Sequence, residues 1–126
     1  MGSMGRNSCW AFLVFGRMRG RVDLYILDDD GEPVATDLVT WARWLKTADR
    51  QVLESFPSID VLVSTVFLGL NHNFSANGGL PVLWETMIFG GEHHCYQRRY
   101  TSKLDALLGH QHAVRLVERS LRKVAK

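Results

Sequence analysis

VLVSTVFLGLNHNFSANGGLPVLWETMIFGG, residues 61–91, sets the fold of this 126-residue chain. Its first ten residues place Val61, Val63, Thr65 and Phe67 on one side of an extended segment. Leu62, Val66, Leu68 and Leu70 fall on the other side. A strand that is apolar on both sides belongs in the middle of a covered sheet. Residues 82–89 (VLWETMIF) supply its neighbour, and the polar, glycine-rich stretch 71–81 reads as a loop opening at the strand's end.

Toward the C-terminus, Gly90-Gly91 makes a turn, and 94–100 (HCYQRRY) adds an edge strand. Thr101 or Ser102 then starts a helix, with Ser102 and Asp105 spaced as a capping box that carries Asp in place of Glu. Leu104, Leu107, Leu108, Val114, Val117 and Leu121 form its expected buried stripe. Toward the N-terminus, VDLYIL (22–27) runs into DDDGEP, where Asp30-Gly31 signals a hairpin and 34–36 a return strand. Asp37 or Thr36 caps a helix over 38–48, with Leu38, Trp41, Ala42, Leu45 and Ala48 at helical spacing and Trp44 beside them. QVLES (51–55) reads as a short strand closed by Phe56-Pro57. The expected fold is α+β: an antiparallel or mixed sheet of four to five strands covered by two helices.

Such a chain, 46% hydrophobic, holds one ordinary domain, placed at residues 22–126. Residues 1–21 read as an N-terminal extension. The apolar run CWAFLVF (9–15) is surrounded by Arg6, Arg17, Arg19 and Arg21 without an acid, which suits a strand or a non-native, disordered leader. GRMRGR after that run offers no signal-peptide cleavage site, and no apolar run is long enough to span a membrane. Two cysteines, Cys9 and Cys95, make no disulfide framework, so reduced thiols and a cytoplasmic setting are expected. The net charge of +2 comes from 15 Lys and Arg against 13 Asp and Glu; without 1–21 it is 15 less 4, or 11, against 13. A nucleic-acid partner therefore has no support in the charge balance.

Glu85 is the sharpest single feature, because it shares a strand face with Leu83, Met87 and Phe89. An unpaired carboxylate in an apolar row is costly or becomes protonated, so Glu85 requires His72, His110, an arginine or water as partner. His72, in Asn71-His72-Asn73-Phe74, lies where the central strand enters its loop; it suits either a site or a loop-fixing hydrogen bond. His110 falls in line with Leu107, Val114, Val117 and Leu121, and His112 points away from it. Histidine and cysteine spacings give no zinc motif: no HExxH and no paired CxxC is present, so neither metal nor cofactor is assigned. Asp28, Asp29, Asp30 and Glu32 read as a solvated hairpin tip, and Arg115, Arg119, Arg122 and Lys126 as a solvated helix face.

The segments LYILDDDGEPV (24–34), LVTWARWL (38–45), VSTVFLGLNHNF (63–74), GLPVLWETMIFGG (79–91), RRYTS (98–102) and Gly109-His110 resemble a family of small uncharacterised proteins from phage, prophage and actinobacterial genomes. The resemblance implies a start near the YILD motif, with residues 1–21 an extension. It implies Asp at the position of Asn71, and it marks His72, Glu85, Arg99, Tyr100 and His110 as matching positions with chemistry to offer. It implies no activity and no ligand.

Three functions are consistent with these observations. The first is a non-enzymatic phage or prophage accessory protein that binds a host or phage protein through loop 71–81 and the tryptophan-bearing surfaces, with His72, Phe74, Trp84, Arg99 and Tyr100 as binding residues. The second is a small metal-assisted hydrolase centred on Glu85, His72 and His110. The third is a structural homo-oligomer that pairs strand 94–100 across a two-fold axis.

Overall fold

The computed structural model describes residues 23–74 and 78–125; the expectations for residues 1–21 lie outside these. Strands β1 (Leu24–Leu27) and β2 (Pro33–Thr36) form an antiparallel hairpin, followed by helix α1 (Leu38–Thr47). Strands β3 (Gln51–Ser58), β4 (Val61–Phe67), β5 (Trp84–Phe89) and β6 (Gln97–Tyr100) form an antiparallel sheet in that spatial order. Helix α2 (Lys103–Ala125) lies across one face of this sheet. This is the expected α+β architecture with a four-stranded sheet and two helices. Among the described residues, no helix is long and apolar enough to cross a membrane.

Local chemistry accounts for each element. Asp28 Oδ1 accepts the N–H groups of Asp30 and Glu32, closing the β1–β2 turn. The Asp37 side chain accepts from Thr40 N at 2.8 Å and caps α1. Ser102 Oγ accepts from Asp105 N at 3.0 Å at the start of α2. β3 continues past Phe56-Pro57, where a strand end was expected. It is an edge of the sheet, and its register shifts between Ser55 and Ser58, so a residue without an N–H is accommodated.

The core divides by sheet face. Toward α2, Val61, Val63 and Ile88 pack on Ala113 and Val117, while Phe67, Leu83, Trp84 and Tyr100 pack with Ala106. Leu62, Met87 and Phe89 form a third buried cluster. The Phe67 ring stands edge-on to Trp44 and Trp84, at centroid distances of 5.9 and 5.5 Å.

Helix α2 corrects the expected stripe. Its buried residues are Ala106, His110, Ala113, Val117 and Ser120, whereas Leu104 and Leu108 are 65% and 60% exposed. Small side chains let the helix axis approach the sheet, and the leucines are left on the flanks. Gly109 makes the requirement explicit: a Cβ there would collide with the Tyr100 ring and hydroxyl.

The hairpin and α1 reach the main sheet through the chain just after β4. Leu24 bridges Leu70, Tyr25 N donates to Gly69 O, and Trp41 Nε1 donates to the same carbonyl at 3.0 Å. Gly69 has φ +79°, which carries the chain out of β4 and under the Trp41 indole. Helix α1 itself has no fully buried residue.

Candidate functional site

Alternation along β5 decides where the candidate residues go. Thr86 pairs directly with Thr65 of β4, and their hydroxyls lie 2.6 Å apart on the α2 side. Thr65 Oγ1 is also 2.7 Å from His110 Nδ1, and His110 Nε2 is 2.8 Å from Ser55 Oγ on β3. A hydrogen-bonded line therefore crosses the sheet beneath α2, from Thr86 through Thr65 and His110 to Ser55. The Tyr100 hydroxyl lies beside Thr86 at the far end but short of hydrogen-bond geometry. Burial, with no charged neighbour contributing, lowers the His110 pKa and favours the neutral imidazole.

Glu85, one residue before Thr86, points to the opposite face. Its carboxylate is fully buried, and Oε2 accepts from Arg99 Nε at 2.9 Å across the β5–β6 pair. Of the partners the sequence allowed, an arginine is the one the fold supplies. Oε1 has no hydrogen-bond partner. Burial raises the pKa to about 7, outweighing the opposing pull of Arg99. Leu83 precedes the strand and packs with Phe67 and Trp84.

His72 is held locally. Its Nδ1 lies 2.8 Å from the Leu70 carbonyl, and a carbonyl only accepts, so Nδ1 carries the proton. Its ring leans on Phe74. Around it, Asn71 Oδ1 accepts from Asn73 N and Val82 N at 2.8 and 2.9 Å. Asn73 Nδ2 donates to the Gly78 and Leu80 carbonyls, so two asparagines fasten both arms of loop 71–81. Phe74 and Leu80 are 60% and 69% exposed on that loop.

Glu85 and His110 thus do not converge, and among the described residues no three His, Cys, Asp or Glu side chains gather as a metal site. Trp84 and Tyr100, expected on a binding surface, are interior. Arg99 and Tyr100 do meet in a cleft of about 620 Å³ with Arg98, Asp105, Leu108 and His112. Cys95 departs from the expected free thiol, since it is disulfide-bonded. The hydroxyls of Ser55, Thr65 and Thr86 were not singled out from the sequence; the one signal for them was a threonine in each of two otherwise apolar central rows.

No protein-family model, curated protein or solved structure matches this chain.

Proposed function

We propose that this chain is a non-enzymatic protein-binding module, a phage or prophage accessory protein that engages a host or phage protein through loop 71–81. One observation carries the reading: Phe74 and Leu80 stand exposed on a loop whose arms are fixed by Asn71 and Asn73. Large apolar side chains exposed on a fixed backbone bind with less ordering cost than the same side chains on a loose one. An aromatic such as Phe74 is a typical energetic anchor of an interface. The partner surface is expected to present an apolar pocket. The dispersal of Glu85, His72 and His110 is the supporting negative, since the rival hydrolase needs them together.

The test compares wild type with the double variant Phe74→Ser, Leu80→Ser. Each is immobilised and exposed to host lysate, and any captured protein is identified, purified and rebound. The expected result is direct binding by wild type and at least tenfold weaker binding by the variant at unchanged melting temperature. Equal binding by both, or no partner at all, rejects the loop as the binding element.

A further inference from the structure

We propose that Ser55 is a nucleophile activated by His110, able to take an acyl or phosphonyl group from an activated electrophile. The reading is separate from the one for loop 71–81, uses none of its residues, and concerns a single stoichiometric modification of Ser55, not turnover.

The geometry has three parts. Ser55 Oγ lies 2.8 Å from His110 Nε2, within reach for direct proton transfer. Thr65 Oγ1 lies 2.7 Å from Nδ1 and is assigned as a positioning residue: in the reactive tautomer it accepts Nδ1–H, which leaves Nε2 as the lone-pair nitrogen facing the serine. Thr86 stands behind Thr65 at 2.6 Å and fixes its rotation. Accessibility differs along the line in the direction nucleophilic chemistry needs. His110 is 1% exposed and sealed beneath α2, while Ser55 is partly exposed on the edge strand β3. A reactant arriving from solvent therefore meets the serine before the imidazole.

In the covalent step, Ser55 Oγ forms a bond to the acyl carbon or the phosphorus while its proton passes to Nε2. The bond to the leaving group breaks, and that group departs with the bonding electron pair. The imidazolium then releases its proton to the leaving group or to water, and no oxidant or reductant takes part. A neutral hydroxyl stabilises the imidazolium less than a buried carboxylate does, so the substrate class is activated esters and fluorophosphonates, not amides. The lowered His110 pKa keeps the base unprotonated at neutral pH.

The test incubates the full chain with a fluorophosphonate probe between pH 5 and 9 and maps the adduct by mass spectrometry. One adduct on Ser55 is expected, absent in Ser55→Ala. Its rate is expected to rise with pH through an inflection below the ordinary histidine value of 6.5. His110→Gln is expected to slow labelling by about 100-fold or more, the usual contribution of a general base. Thr65→Val, which keeps the shape of the site, is expected to slow labelling while the inflection remains attributable to His110. It supplies the decision should His110→Gln fail to fold. No adduct on Ser55, a rate unaffected by His110→Gln or Thr65→Val, or a rate that climbs with hydroxide and shows no inflection overturns the proposal.

Discussion

Glu85 and His110 occupy opposite faces of one sheet, divided by the single-residue step from Glu85 to Thr86 in β5. Burial acts on both and shifts them in opposite directions, raising the acid and lowering the base. Their effects on stability are therefore opposed and separable.

For Glu85, the folded pKa of about 7 lies above the unfolded value near 4.5. Between those values the folded state holds more protons than the unfolded chain, so stability falls as pH rises through that window and is level above it. The loss is on the order of 3 kcal/mol. Glu85→Gln is expected to abolish this decline, because the neutral amide has no charge to desolvate. Thermal melts of both proteins at half-unit pH steps check it; a parallel decline in the variant would show that another group is responsible.

For His110, the folded pKa is below 6.5, so below that pH the unfolded chain binds the extra proton and stability falls on acidification. Just below pH 6.5 the two residues oppose one another in the wild-type protein. In Glu85→Gln the acid side of the profile is expected to steepen, since only the histidine contribution is left there. Urea midpoints across the window measure the change.

Gly109→Ala places a methyl against Tyr100. Helix propensity alone favours alanine by about 1 kcal/mol, but overpacking costs about 1–3 kcal/mol, and the collision is expected to prevail. Tyr100→Phe should give little relief, because ring carbons as well as the hydroxyl meet the new Cβ. Tyr100→Leu should give more. A double-mutant cycle on denaturation free energy reads the coupling.

Asn71→Ala leaves the N–H groups of Asn73 and Val82 without their shared acceptor. The expected cost is about 1–3 kcal/mol, the range for removing the partner of a buried donor. Binding through loop 71–81 should weaken as well, even though Phe74 and Leu80 are untouched. Affinity that survives the loss of Asn71 would mean the loop does not require its fastening.

The architecture was legible because period-two and helical patterns survive any tertiary context. VLVSTVFLGL announced a central strand, Asp37 announced the α1 cap, and the Ser102 capping box announced α2. What failed was the facing of α2. The large leucines drew the stripe to themselves, but close packing on a sheet selects small residues, and Ala106 and Ala113 carry little hydropathic signal. The serine–histidine–threonine line was hidden for another reason. Ser55 and His110 meet across 55 residues, and only the packing of α2 across the sheet brings them together. Glu85 was legible as a buried acid in need of a partner, whereas the choice of Arg99 depended on the β5–β6 pairing.

The hairpin and α1 join the larger sheet at Gly69 and its neighbours and through Tyr25, Leu27 and Trp44, which are only partly buried against the Phe67 cluster, and α1 buries no residue fully. Such a unit is a candidate foldon: its amides can exchange with solvent through a partial opening that costs less than global unfolding. Native-state hydrogen exchange should then sort the chain into two tiers. Residues 24–47 would form the fast tier, and the amides of β4 and β5 would set the upper limit.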